Sequence, residues 1–181
     1  MNTPIPTLTS IKLIIGLGNP GRQYYHNRHN IGFRVVEELA KQYQGTFKKV
    51  NDMDVAQITV NDKPYYLVMP QTFMNSSGKV LPFFTKKGIG AENILVIHDE
   101  LEIPFGKVKY KMGGSAKGHN GLKSIIQQIG PDFPRLALGI GRPENREEVP
   151  NYVLQNFEDA FVTQVMIDDA IKSIENSVFK Q

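Results

Sequence analysis

A single α/β domain with a mixed β-sheet is the fold class this sequence predicts, and three observations predict it. β-rich runs alternate along the chain with stretches of helical periodicity. Asn93-Ile-Leu-Val-Ile-His98 is an apolar run of the kind that forms a strand buried on both faces. Two other β-rich runs are joined by hairpin chemistry and should pair antiparallel, so the sheet is not purely parallel. With 181 residues, 40% of them hydrophobic, the chain can build one sizeable core but is short for two.

Met1–Ser10 is polar, carries Pro4 and Pro6, and reads as a flexible N-terminal extension, with one catalytic domain over 11–181. Ile11–Gly16 is a strand stopped by Gly18, Asn19, Pro20 and Gly21. A polar loop leads to a helix in which Ile31, Val35, Leu39 and Tyr43 recur at spacing four until Gly45 ends it. Asp54–Val60 and Pro64–Pro70 flank Asn61-Asp62-Lys63 as the hairpin. A second helix is expected over about Ser76–Lys87, weakened by Pro82.

The buried strand Asn93–His98 delivers Asp99 and Glu100 at its C-terminal end. Lys107, Lys109 and Lys111 alternate with Val108, Tyr110 and Met112, so a strand here puts three ammonium groups on one face. Gly118–Gly130 reads as a helix and Arg135–Gly139 as a strand. A long helix over Glu158–Phe179 follows, with Ile167, Ile171, Ile174 and Val178 on one stripe.

Composition removes whole classes of function. The absence of cysteine excludes disulfide scaffolds, thiol nucleophiles and Cys-ligated zinc. No signal-like start and no apolar run of about 20 residues is present, so a soluble cytoplasmic protein is expected. The net charge of +3 is unevenly spread: from Glu158 onward there are five acids against two bases, whereas Ile103–Lys123 holds five lysines and no acid. That basic stretch runs into the glycine-rich 113–121 loop, and nucleic-acid backbone is its natural partner.

Several motifs fail on inspection. Gly16-x-Gly18-x-x-Gly21 follows a strand, yet Pro20 has no N–H for a phosphate and no helix opens at Gly21, which argues against a dinucleotide site. Around Ser115 a nucleophile elbow would need glycine where the chain has Lys117. His26, His29 and His98-Asp99-Glu100 leave a two-histidine, carboxylate metal site open on spacing alone. The simplest hydrolytic apparatus that remains is a histidine base activating water, with a carboxylate fixing its tautomer. His29 lies in the loop after the first strand, and Asp99 at the end of another, where ligands of open α/β sheets gather. Asn19, Asn75 and Asn120 sit in glycine-flanked or loop-like settings and offer uncharged donors and acceptors.

Together these segments resemble the bacterial-type peptidyl-tRNA hydrolase family. The matching stretches are Gly16-Leu-Gly-Asn-Pro-Gly21, Arg28-His29-Asn30-x-Gly32, Thr72-Phe-Met-Asn75 with Ser77-Gly78, His98-Asp99-Glu100-Leu101, Gly118-His119-Asn120-Gly121 and Gly139-Ile-Gly-Arg-Pro143. The resemblance implies helices on both faces of the sheet, and cleavage of the ester joining a peptide to the 3′ end of tRNA. It implies no metal and no cofactor, and a monomer is expected. By position, His29 would be the general base and Asp99 its orienting partner. Asn19 and Asn75 would hold the water and the substrate carbonyl, with Asn75 as oxyanion donor. Asn120 would contact the tRNA terminus or peptide, with His119 beside it, Tyr24 and Met74 lining the site, and Lys111 meeting tRNA phosphate.

Two departures stand out. Where the family commonly has an arginine that clamps the tRNA 5′-phosphate, this chain has Ala137; Arg135, on the same strand face, is one candidate substitute, and the sequence leaves open whether it or another cation takes that place. Lys117 stands where many members have a further glycine. These departures motivate a second reading, an RNA-binding relative that does not hydrolyse; a third, weaker one is a cofactor-binding oxidoreductase.

Overall fold

The structure, a computed structural model, describes residues 6–180. Of the expected N-terminal extension, the first five residues lie outside the described part. Leu8 is buried in the core and its N–H donates to Ser177 O at 2.9 Å.

Seven strands form one mixed sheet in the order β2-β3-β4-β1-β5-β7-β6. They are β1 (Leu13–Gly16), β2 (Lys48–Val50), β3 (Met53–Val60), β4 (Lys63–Pro70), β5 (Ile94–Glu100), β6 (Val108–Met112) and β7 (Pro134–Gly139). β4, β1, β5 and β7 run parallel, and β2, β3 and β6 are antiparallel to their neighbours. The central strands are buried throughout because both faces are covered. On one face α1 (Ile31–Gln42) and α5 (Ala160–Ser177) pack against Ile14, Leu67, Leu95, Ile97 and Leu138. On the other, the 3₁₀ segment Met74–Val80, α2 (Pro82–Thr85) and α3 (Asn120–Ile129) cover Leu13, Ile15, Val68, Ile94 and Val96. A short helix, α4 (Val149–Val153), precedes α5.

The hairpin forms as expected but with a tighter turn. Val60 pairs with Lys63, leaving Asn61 and Asp62 as a two-residue loop with φ of 51° and 64°. Positive φ at both central positions matches the right-handed twist of the strands, and Asn and Asp tolerate it. The single helix expected over Ser76–Lys87 is instead two pieces. Pro82 has no N–H to continue a helical ladder and starts α2 at its first position, where that N–H is not needed.

Two glycines bring the first helix onto the sheet. A Cβ at Gly16 would lie 2.2 Å from Gly32 O, and one at Gly32 would lie 2.4 Å from Ile97 O. Only bare backbone fits at this crossing, and the contact draws the turn just before α1 down to the C-terminal end of β5.

Candidate active site

The C-terminal ends of β4, β1 and β5 meet where the chain's connections part to either side of β1, the usual place for ligands on an open α/β sheet. β1 opens into a loop carrying Asn19, and the 3₁₀ turn Arg28–Asn30 presents His29. β4 leads to Met74 and Asn75, and β5 ends in Asp99 and Glu100. His119 and Asn120 begin α3.

His29 Nδ1 lies 3.0 and 2.9 Å from the two carboxylate oxygens of Asp99. His119 Nε2 lies 2.8 Å from Asp99 Oδ1, so one buried carboxylate serves two imidazoles whose centroids are 4.9 Å apart. The His119 tautomer is fixed from the other side. It is the N-cap of α3, and its Nδ1 accepts the N–H groups of Gly121 (3.1 Å) and Leu122 (3.2 Å). The ring proton therefore sits on Nε2 and is donated to Asp99. Although His29, Asp99 and His119 place ligand atoms within 4.8 Å of one another, His119 offers no lone pair toward the centre, so the trio is poorly suited to a metal ion.

Charge follows this geometry. Burial alone would raise the Asp99 carboxyl, but the two histidines and the hydrogen bonds they donate hold it well below the usual carboxylate range. For His29, burial pushes the imidazole down, and the Asp99 charge and hydrogen bond outweigh this and raise it above its ordinary value. His98 is different: burial, with His119 beside it, pushes its ring down to about 4, so it is neutral. Its Nδ1–H donates to Asp99 O at 2.8 Å and steadies the backbone that carries the carboxylate.

A second lock sets Asn19. Its N–H donates to Asn30 Oδ1 (3.0 Å), and Asn30 Nδ2 donates back to Asn19 O (2.9 Å). Asn19 Oδ1 then accepts the Met74 N–H at 2.8 Å, so its amide nitrogen is the end left for other partners. Sequence reasoning gave Asn30 no role, and its place directly after His29 was the available signal. The bare backbone of Gly78 packs on Ser124, where a Cβ would lie 2.3 Å from the carbonyl oxygen, and its N–H donates to Ser124 Oγ at 2.8 Å. This contact sets the segment bearing Asn75 against the helix bearing Asn120. Both asparagine side chains are exposed at the site and bond no other described residue. Met74 is buried beside Asn19, whereas Tyr24 is half-buried in a separate 3₁₀ turn, Arg22–Tyr24, and its side chain bonds none of these groups.

The basic stretch is arranged differently from expectation. Arg135 does share a strand face with Ala137, but it is only 2% exposed and is committed to backbone. Its guanidinium donates to Ser115 O (2.8 Å), Pro131 O (3.1 Å) and Gly114 O, stapling the glycine-rich loop, and stacks over Phe133. It is therefore not free to replace a clamp cation. Lys111 is paired with Glu100 at 2.5 Å, beside a pocket of about 340 Å³ that His98, Lys117 and Arg135 also line. Lys109 lies directly across from Ala137 in the β6–β7 pairing, is exposed, and forms no ion pair among the described residues.

No helix among the described residues is long and apolar enough to cross a membrane. The peptidyl-tRNA hydrolase family model matches residues 13–180. A protein of Rickettsia bellii (strain RML369-C) named peptidyl-tRNA hydrolase is 46% identical over 168 residues, which cover 91% of this chain and 90% of that one. The crystal structure of peptidyl-tRNA hydrolase from Acinetobacter baumannii superposes with a TM-score of 0.83 at 40% identity, covering 91% of this chain and 85% of that one. With the match running through nearly every described residue and the fold agreeing, the chain belongs to the peptidyl-tRNA hydrolase family.

Proposed function

We propose that this chain hydrolyses the ester between a peptide and the 3′ end of tRNA, with His29 as general base. The observation that carries this reading is the pairing of His29 Nδ1 with the buried Asp99 carboxylate, which leaves Nε2 as the ring nitrogen available to a water. Nε2 takes a proton from that water as the oxygen attacks the ester carbonyl carbon. Asp99 stabilises the imidazolium that forms. The Asn75 amide donates to the oxyanion, and the Asn19 amide nitrogen, aimed by Asn30 and Met74, holds the water. The carbon–oxygen bond to the ribose then breaks, and the leaving 3′ oxygen takes the proton back from Nε2. The products are the peptide carboxylate and tRNA with a free 3′ hydroxyl.

Asn120 contacts the tRNA terminus or the peptide, and Met74 and Tyr24 line the cleft. Lys109 and Lys111, adjacent on one face of β6, meet tRNA phosphate, with Lys111 exchanging Glu100 for the phosphate. Glu100 is poised for that exchange: burial pushes its carboxyl up, yet the Lys111 bond and charge keep it below its ordinary value. This reading places the enzyme in the cytoplasm and takes it as a monomer, in keeping with a site whose named residues all come from one chain.

The test follows release of free tRNA from an N-blocked aminoacyl-tRNA at neutral pH. We expect wild type to turn over and His29→Ala to lose about 10²–10⁴-fold in rate while binding tRNA within a few-fold. A His29→Ala protein that keeps most of its rate would remove His29 as the base, and absence of hydrolysis by wild type would remove the activity.

A further inference from the structure

Arg28, directly before His29, is 7% exposed and forms no ion pair with a carboxylate among the described residues. Its guanidinium lies 3.9 Å over the ring of Tyr152 and donates to Tyr152 O (3.0 Å) and Gln155 Oε1 (3.3 Å). Around it the turn before His29 is laced to the segment after α4. Arg28 N–H donates to Gln155 O (3.0 Å), Asn27 Nδ2 donates to Asn156 Oδ1 (2.9 Å), and Phe157 N–H donates to His26 O (3.4 Å). Tyr152 is itself tied down by its hydroxyl, which donates to Ile140 O at 2.5 Å, just past the end of β7.

A buried cation is usually satisfied by a carboxylate. Here carbonyls and an aromatic face do that work, and the choice has a chemical reason. A second carboxylate next to His29 would compete with Asp99 for the ring, whereas a π-face and carbonyls hold the guanidinium without offering His29 another anion. We propose that Arg28 is a positioning residue: by latching the catalytic turn to the Tyr152–Asn156 segment, it sets the distance and angle at which His29 Nδ1 meets Asp99. This rests on His29 acting as the base, and it assigns the end of α4 and the residues that follow it a part in catalysis without contact with substrate.

The groups that face the His29 ring are Asp99 from β5 and His119 from the start of α3, so loosening the turn changes chiefly the Asp99 contact. The experiment uses the full chain with Arg28→Met, Arg28→Lys and Tyr152→Leu. It measures thermal unfolding, kcat and KM across pH, and the titration of the His29 ring by NMR. In Arg28→Met we expect kcat to fall about 10–100-fold with KM changed less than about threefold, as a small misplacement of the base requires. The His29 midpoint should drop toward the ordinary 6.5 as the Asp99 contact lengthens. Arg28→Lys should recover part of both, since an ammonium still sits over the ring, and Tyr152→Leu should behave like Arg28→Met.

A lower melting temperature with wild-type kcat and His29 midpoint would overturn the proposal, as would a raised KM at unchanged kcat. If Arg28→Met does not fold, Tyr152→Leu decides on the same two readings. A shifted His29 midpoint with unchanged kcat would uphold the positioning and instead remove His29 as the base.

Discussion

Replacing Asp99 by Asn changes one atom, and the locked tautomer of His119 determines how much that atom matters. His119 must donate Nε2–H, because its Nδ1 is occupied by two backbone N–H groups. In Asp99→Asn the side-chain carbonyl oxygen therefore turns to His119, at the position where Oδ1 now accepts at 2.8 Å. The new amide N–H₂ then faces His29 Nδ1, 2.9 Å away, and converts it from donor to acceptor. His29 carries its proton on Nε2 and has nothing with which to take one from water. Restoring the working tautomer leaves donor facing donor, at a cost of about 1–3 kcal/mol, and the lost bond to a charged carboxylate is worth about 1.5–3 kcal/mol more. The sum, about 4 kcal/mol, is roughly a 10³-fold fall in kcat. Single-turnover hydrolysis of an N-blocked aminoacyl-tRNA measures it. The double variant Asp99→Asn/His119→Ser keeps a helix cap but frees the amide to turn its oxygen toward His29, and should recover about tenfold over Asp99→Asn alone. A single variant that retains more than about a tenth of wild-type kcat, or a double variant with no recovery, would refute the tautomer argument.

Two further predictions concern salt and acid. Lys109→Ala and Lys111→Ala should each reduce the slope of log affinity for tRNA against log salt by about one, measured by filter binding at several salt concentrations, and leave kcat near wild type. His98 is neutral when folded down to about 4 but takes a proton near 6.5 when unfolded, so stability is complete above 6.5 and is lost as pH falls through this window. The loss from this group is about 3 kcal/mol, from 1.36 kcal/mol per unit. Urea unfolding at neutral pH and near pH 4 should show a smaller difference in His98→Gln. His29, raised in the fold, contributes with the opposite sign: its stabilisation is present below 6.5 and is lost at higher pH, so it partly offsets the His98 loss, and because it does so in wild type and in His98→Gln alike the comparison of the two removes it.

What the sequence showed depended on how local the cause was. The apolar run of β5 and the Asn-Asp turn carry their structure in neighbouring residues, and both formed where periodicity and turn chemistry placed them. β2 was not foreseen because Lys48-Lys49-Val50 is a polar edge strand, held only by its pairing with β3 and without a buried face to mark it. The broken helix at Pro82 was underestimated, although proline chemistry announced it. In the site, His29 and Asp99 were legible as residue types, but their contact spans 70 positions and needed β1 and β5 to pair. The role of Arg135 was not legible at all. Period-2 alternation placed it on the correct face, but the carbonyls of Gly114, Ser115 and Pro131 that absorb its donors come from a loop whose path no local pattern specifies. The cap on His119 and the Asn19–Asn30 exchange likewise exist only once backbone donors are in place.

The placement of the site across β4, β1 and β5 also governs when activity can exist. Asn19 reaches Met74 across 55 positions, His29 reaches Asp99 across 70, and Arg28 reaches Tyr152 across 124. The contacts of His29 and Arg28 cannot form until Asp99 and Tyr152 have been made, and the parallel pairing beneath the site has a high contact order, which makes it slow to form. Translation carries the nascent chain on the very kind of ester this family cleaves. A chain elongated only through β4 and the segment after it holds His29 and Asn75 but neither Asp99 nor the His119 cap, so it lacks the assembled chemistry during most of its own synthesis.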